Sequence, residues 1–291
     1  MKPAPFAYHR PRSLEEALAL LQKYGGEAKA LAGGQSLIPA MNFRLARPSV
    51  LVDLGAIQEL TYLRAADGGV VFGAMTRHVE VERSELVARA APLLHEAMPH
   101  VAHPQIRSRG TIGGSLAHAD PAAELPAVMV ALGTRLRAKS PRGQRWIGAG
   151  EFFVGLFETA LEPGELLVEV AIPGLPPRTG TAFLEIARRH GDYALVGAAA
   201  TLTLDGSGRC AEARIALLSV GEGPVLAREA AAVLSGAALG AEAFAAAAEA
   251  VQRDIDPPSD IHATAAYRRR LATVLTRRAL ARAAERARTA A

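Results

Sequence analysis

The sequence holds a single cysteine, Cys210. One thiol closes no intramolecular disulfide, builds no cysteine-rich zinc site and carries no four-thiolate iron–sulfur cluster. Any iron–sulfur chemistry that this chain serves therefore belongs on another polypeptide. Aromatic residues are also scarce, and none falls within the most basic stretch, Arg268 to Arg288, which has eight Arg and one acid, Glu285. Bases of single strands usually stack on aromatic rings beside the basic groove, so this absence argues against a nucleic-acid partner. Leu271, Val274, Leu275 and Leu280 give the same stretch an apolar stripe. It reads as a helix packed on its own protein with a solvated basic face. No apolar run approaches the roughly 18 residues of a membrane span. The opening Met1-Lys2-Pro3-Ala4-Pro5 lacks the apolar core of a signal peptide. The expectation is a soluble, cytoplasmic chain that is not an integral membrane protein.

Several catalytic signatures are missing as well. No Gly-x-Gly-x-x-Gly follows a strand, and there is no phosphate-binding Gly-x-x-x-x-Gly-Lys-Ser/Thr and no Gly-x-Ser-x-Gly nucleophile turn. His95-Glu96-Ala97-Met98-Pro99-His100 misses the zinc-protease spacing by one residue, and Pro99 disrupts the helix that such a site requires. No metal ligand and no catalytic acid, base or nucleophile is expected.

What is present suffices for a large core. Half of the 291 residues are apolar, and 33 Lys and Arg against 29 Asp and Glu leave a net charge of +4. That length corresponds to roughly two or three domains. Ser13-Leu14-Glu15-Glu16 has the form of a capping box, and Leu14, Ala17, Leu18 and Leu21 follow at helical spacing. Short strands are expected at 29–32 and 49–54. Beyond Leu60 the texture becomes hairpin-like, with the turn Asp67-Gly68-Gly69. Two helical stretches follow, at about 84–90 and 92–101, then a helix from Ala123 to Leu132 and a strand over Leu166–Ile172. Pro173, Pro176 and Pro177 mark a boundary. After it, three meandering strands precede helices at about 228–234, 242–252 and 263–288, an α+β order. Three blocks result: 1–55, 56–175 and 176–291.

Two glycine pairs stand out. Ala32-Gly33-Gly34-Gln35-Ser36 and Thr111-Ile112-Gly113-Gly114-Ser115 lie 80 residues apart, each before an apolar, helix-like run. Glycine lets the backbone take positive φ and lets another group approach closely. Alone, the pattern fits two tight turns, or two loops presenting backbone N–H groups to one anion such as a pyrophosphate. The second pair sits in a more distinctive stretch, Ile106-Arg107-Ser108-Arg109-Gly110-Thr111-Ile112-Gly113-Gly114-Ser115-Leu116-Ala117-His118-Ala119-Asp120-Pro121-Ala122-Ala123-Glu124-Leu125-Pro126.

That stretch and Ala32-Gly33-Gly34-Gln35-Ser36-Leu37-Ile38-Pro39 together closely resemble the FAD-binding medium subunit of the molybdenum hydroxylases, the family of xanthine dehydrogenase and aerobic carbon monoxide dehydrogenase. Arg188-Arg189-His190-Gly191-Asp192-Tyr193-Ala194 and Tyr267–Leu275 extend the resemblance over essentially the whole chain. The resemblance implies an α+β fold. Two N-terminal α/β subdomains clamp FAD, as in PCMH/vanillyl-alcohol-oxidase-like proteins. A C-terminal domain follows, with a three-stranded antiparallel sheet and a helical bundle. It also implies that the loops Ala32, Gly33, Gly34, Gln35, Ser36 and Thr111, Ile112, Gly113, Gly114, Ser115 wrap the pyrophosphate with amides and hydroxyls. Asp120 and Glu124 would accept from ribityl and ribose hydroxyls, and His118 would sit near the phosphates. Leu167 would border the ring system through its backbone, and Tyr193 would lie against the isoalloxazine. Neither glycine loop contains Lys or Arg, so amide dipoles would meet most of the phosphate charge. Many relatives carry a Lys in the strand before Gly191-Asp192-Tyr193; here it reads Phe183-Leu184-Glu185-Ile186. The implied partners are a large molybdopterin-binding subunit and a small [2Fe–2S] subunit, in a dimer of three-chain units. A free-standing flavin-dependent oxidase or dehydrogenase is the alternative.

Overall fold

A computed structural model describes residues 1–290. Its first layer contains β1 (Ala7–His9), α1 (Leu14–Tyr24), β2 (Ala28–Leu31), α2 (Leu37–Asn42) and β3 (Val50–Asp53). The strands form a parallel sheet in the order β1-β3-β2. Helix α1 starts where the sequence indicates, since Ser13 Oγ accepts from Glu16 N–H at 3.2 Å. The box closes one residue early, because the Glu16 carboxylate accepts from Arg12 N–H at 2.8 Å. Leu14, Ala17, Leu18 and Leu21 are the buried face of α1 and pack with Val50 and Val52 of β3.

The second layer is built on an antiparallel five-stranded sheet with a long helical insertion. It runs β4 (Leu63–Ala66), β5 (Gly69–Gly73), α3 (His78–Arg83), α4 (Glu85–Ala90), α5 (Pro92–Ala97), α6 (Pro104–Arg107), α7 (Ile112–His118) and α8 (Glu124–Ala131). Then come β6 (Arg135–Ser140), β7 (Gly143–Gly148), α9 (Ala149–Phe152), β8 (Phe153–Gly155), β9 (Glu158–Thr159) and β10 (Leu166–Ile172). The order β4-β5-β10-β6-β7 puts β10 at the centre. Every residue of α8 is buried. A helix apolar all round belongs in the middle of a core, and α8 lies between this layer and the next.

The third layer holds β11 (Thr179–Ala187), β12 (Ala194–Leu204), β13 (Cys210–Leu218), β14 (Val225–Leu226), α10 (Arg228–Leu234), α11 (Ala241–Ala250) and α12 (Ala265–Thr289). The antiparallel order is β11-β12-β13-β14. The expected three-stranded sheet is therefore extended by a two-residue fourth strand. Helix α12 does pack on its own protein, but its buried face is mostly alanine: Ala272, Ala279, Ala283, Ala284 and Ala287 beside Leu275 and Leu280. Small side chains let the helix lie close to the sheet, and Ala283 O would stand 1.9 Å from a Cβ at Gly180. Several of its arginines are committed within the chain. Arg286 and Arg282 pair with Glu96 of α5 at 2.6 and 3.3 Å, and Arg268 pairs with Asp260 at 2.7 Å. No helix among the described residues is long and apolar enough to cross a membrane.

Candidate cofactor-binding site

The two glycine loops meet. A Cβ at Gly33 would stand 2.4 Å from Arg109 O and 2.8 Å from Gly110 Cα, and one at Gly114 would stand 3.1 Å from the Ala32 methyl. Glycine is needed at Gly33 because the neighbouring atoms are backbone, which cannot swing aside. Gly34 has φ +72° and turns the chain out of β2 into α2.

The loops differ in what they offer. In the second, every amide from Ile112 to Ser115 already donates within the chain. Ile112 N–H reaches Thr76 O at 3.0 Å, Gly113 N–H reaches Ala74 O at 2.8 Å and Ser115 N–H reaches Thr111 O at 3.1 Å. Gly114 N–H donates to Thr111 Oγ1 at 3.1 Å, so that hydroxyl is the N-cap of α7. In the first loop, the amides of Gly33, Gly34, Gln35 and Ser36 find no acceptor among the described residues. The only side-chain bond within it runs from Gln35 Nε2 to Gly33 O at 3.0 Å.

The free amides open on a cleft of about 470 Å³ lined by Ala32, Gly33, Gly34 and Gln35, into which Arg10, Arg77 and Arg109 also project. Arg77 donates to Arg109 O, and Arg10 lies 3.7 Å from Asp53. The expectation that amide dipoles meet most of the phosphate charge gains an addition here. The loops carry no cationic side chain internally, but the fold brings three arginines to the rim, from just after β1, from the start of α3 and from just before the second loop. Arg109 sits inside the conspicuous motif; nothing in the sequence marks Arg10 or Arg77.

A second cavity of about 420 Å³ opens between the second and third layers, lined by Asp120, Tyr193, Arg188, Asp260, His262 and Arg268 among others. Asp120 Oδ1 accepts from Ala122 N–H at 2.9 Å, which fixes the turn into α8. Tyr193 is 63% exposed as a residue. Desolvation around its hydroxyl and the adjacent Asp120 carboxylate nevertheless push the phenol up to about 12. Asp120 and Tyr193 come from different layers and meet here. Ser219, beyond the end of β13, ties the layers together: its N–H donates to Pro121 O at 2.8 Å and its hydroxyl to Ala194 O at 2.7 Å.

The remaining expected residues are placed less directly. Leu167 and Ile112 are core side chains. Leu167 sits at a bulge in β10. His118 ends α7 with its ring 5.2 Å from Phe157, and burial lowers its pKa. Ser36 and Ser115 keep half-buried hydroxyls. Glu124 does not line either cavity. It is buried at the start of α8, and burial, then the neighbouring Glu185 carboxylate, push its pKa up to about 8. Burial thus favours its protonated form near neutral pH. In the strand noted for lacking a lysine, the Glu185 side chain is 4% exposed and lies 3.2 Å from His100 Nδ1.

A donor set of free amides, hydroxyls and guanidinium groups suits a diphosphate, and comparison with known proteins agrees. Residues 4–175 match the FAD binding domain in molybdopterin dehydrogenase. Residues 181–283 match the CO dehydrogenase flavoprotein C-terminal domain. The chain belongs to the FAD-binding medium-subunit family of the molybdenum hydroxylases. It is 46% identical over 288 residues to the 6-hydroxypseudooxynicotine dehydrogenase complex subunit alpha of Paenarthrobacter nicotinovorans, covering 99% of this chain and 97% of that one. It is 43% identical to the carbon monoxide dehydrogenase medium chain of Afipia carboxidovorans, covering 99% of each. In structure it is similar to carbon monoxide dehydrogenase from Hydrogenophaga pseudoflava lacking the Mo-pyranopterin moiety, with TM-score 0.96, 40% identity and coverage of 98% and 99%. FAD is accordingly the cofactor of this oxidoreductase subunit.

Proposed function

We propose that this chain is the electron-transfer flavoprotein of a three-chain molybdenum enzyme of the carbon monoxide dehydrogenase type. It takes electrons from [2Fe–2S] clusters on a small partner, fed by a large molybdopterin-bearing partner, and delivers them to an external acceptor. The observation that carries this reading is the pairing of two openings along α7. At its N-terminal end the first glycine loop brings the free amides of Gly33, Gly34 and Gln35 to a cleft beside three arginines. Just beyond its C-terminal end, Asp120 and Tyr193 line the second cavity. Seven residues of helix span about 10 Å, so an extended dinucleotide laid along α7 has its diphosphate at one end and its ring system at the other.

In this reading FAD supplies the redox chemistry. The Gly33–Ser36 amides hold the diphosphate, and Arg10, Arg77 and Arg109 neutralise it. Asp120 accepts from ribityl hydroxyls, and the exposed ring of Tyr193 screens the isoalloxazine edge. In this relay the chain's own side chains bind, orient and shield the cofactor. The three-chain partners, their assembly as a dimer of such units and a cytoplasmic setting belong to the same proposal. The named relatives support a substrate site elsewhere: one is a dehydrogenase of 6-hydroxypseudooxynicotine and another of carbon monoxide, yet both resemble this chain over nearly its full length.

The test is co-expression with the genes for a large molybdopterin subunit and a small cysteine-rich subunit. Substrate added without oxygen should bleach the flavin absorbance of the assembled complex, and removal of the flavin should abolish reduction of the natural acceptor. A flavin-free complex that still reduces that acceptor would sink the proposal. Turnover of a small substrate by the purified chain alone would favour a free-standing flavoenzyme.

A further inference from the structure

Behind the second cavity lies a group of side chains that the proposed electron relay does not use. The Glu185 side chain, on β11, is 4% exposed; His100 Nδ1 stands 3.2 Å from Oε1, and Oε2 is buried with no hydrogen-bond partner. Glu124 enters from the start of α8, itself buried, and of the charges around it Glu185 pushes its pKa up most. The His100 imidazole, about one-third exposed, packs against Phe183 at 5.3 Å and leads outward to His190 at 6.3 Å. Glu96 of α5 also faces His100 but is engaged by Arg282 and Arg286. On the inner side, Asp120, four residues before Glu124 in sequence, lines the cavity with Tyr193, and its charge adds to the upward push on Glu124. A line of titratable groups thus runs from the surface at His190 and His100 through Glu185 and Glu124 to the two residues that border the cavity.

Two buried carboxyl groups with no cation but an imidazole are not both ionised at neutral pH. We propose that His100, Glu185 and Glu124 form one proton-storing unit behind the flavin pocket, which binds a proton from solvent as electrons are loaded onto the flavin. The inference rests on the reading of this chain as a flavin carrier. The unit is neither oxidised nor reduced. The two electrons come from the donor that reduces the flavin, which binds its own proton, and one O–H bond forms on the Glu124 carboxylate with a proton drawn from solvent past His100. Glu185 raises the proton affinity of Glu124, and the charge on Glu185 in turn favours the protonated imidazole of His100. Because Glu124 titrates at about pH 8, coupling is expected above that pH, where a proton is missing and can be taken up.

The measurement is a spectrophotometric redox titration of the FAD-loaded full chain, and of the assembled complex, from pH 6 to 10. Above about pH 8 the parent should show an additional tenfold change in the reduction equilibrium per pH unit, about 30 mV for a two-electron couple. Glu124→Gln should lack that additional slope, and Glu185→Gln should move its onset to lower pH. A residue that merely packs would change flavin retention and leave the onset where it was. Stability of the flavin-free chain gives an independent readout. Glu124 binds its proton more tightly folded, about 8 against 4.5, so the parent loses stability as pH rises from about 5 to 8. The stability advantage of Glu124→Gln should grow over that window and level off above it. Identical slopes in parent and Glu124→Gln, with flavin bound, overturn the coupling alone. A chain that retains no flavin overturns the functional reading and the coupling together.

Discussion

In the first glycine loop the amides of Gly33, Gly34, Gln35 and Ser36 find no acceptor among the described residues, and Gly33, Gly34 and Gln35 line a cleft, whereas in the second those of Ile112, Gly113, Gly114 and Ser115 are spent on Thr76, Ala74 and Thr111. Both stretches have the form Gly-Gly-(x)-Ser, but the first precedes α2, whereas Gly113, Gly114 and Ser115 form the first turn of α7 itself. The difference arises from burial. Thr111, Ile112 and Gly113 are buried against the turn after β5, where an amide must find an acceptor. Residues 32–36 are half-buried at the end of a sheet layer, where water or a ligand serves. The second loop is scaffold, and it stands as the wall against which the first loop presents its donors.

Gly113→Ala and Gly33→Ala should separate these two roles most sharply. A methyl at Gly113 would lie 2.5 Å from the Ala74 Cβ and 2.7 Å from Ala74 O. Neither neighbour can rotate away, so a loss of about 3 kcal/mol is expected, the upper end for overpacking. Protein that does fold should keep its flavin. Gly33→Ala pushes on Arg109 O at a half-buried site, so flavin retention should fall at least tenfold with a smaller drop in melting temperature. Denaturant unfolding and the flavin-to-protein absorbance ratio check both. The comparison fails if Gly113→Ala loses flavin at unchanged stability.

The second loop also rests on His78. The His78 amide donates to Gly110 O at 2.9 Å, and a Cβ at Gly110 would stand 2.8 Å from its Nδ1. Burial holds the imidazole neutral and lowers its pKa to about 4. The unfolded chain takes up the proton near pH 6.5 while the folded chain resists until about 4, so stability is complete above pH 6.5 and is lost as pH falls toward 4. The loss should be on the order of 2–3 kcal/mol. Unfolding of the parent and of His78→Leu across pH 4–7 is the check. An equally steep acid loss in the variant would show that other groups carry it.

Much of this was legible in the sequence, and the rest was not for physical reasons. Periodicity and punctuation located α1, α8 and α12 to within a few residues, because each buries a continuous apolar face. The glycine pairs and Asp120 were visible because their chemistry is local. Which amides are free was not visible, since the acceptors at Thr76 and Ala74 lie about 40 residues upstream in sequence. Arg10 and Arg77 reach the cleft only through the sheet order β1-β3-β2 and the bridge between Arg77 and Thr111. Glu124 reads as a polar residue at a helix start. Only the packing of α8 between two layers shows that it is buried and keeps its proton.

The finest distinction concerns the hydroxyls. Thr111 Oγ1 accepts from Gly114 N–H, whereas Ser36, at the corresponding start of α2, makes no side-chain cap bond. Thr111→Ala should therefore cost about 1 kcal/mol, the usual value of an N-cap. Thr111→Ser, which keeps the oxygen, should recover most of it. Ser36→Ala removes no bond within the chain and should leave stability within a few tenths of a kcal/mol. Its effect should appear only in flavin retention, at a few-fold, the scale of one hydrogen bond to a ligand. Parallel melts of the flavin-free proteins and flavin dissociation measured on the loaded ones separate the two. If Ser36→Ala destabilises the flavin-free chain as much as Thr111→Ala does, the division between a donor loop and a scaffold loop is wrong at its smallest element. If flavin dissociation responds equally to both, the second loop contributes its hydroxyl to the cofactor after all, and Thr111 serves as cap and ligand donor together.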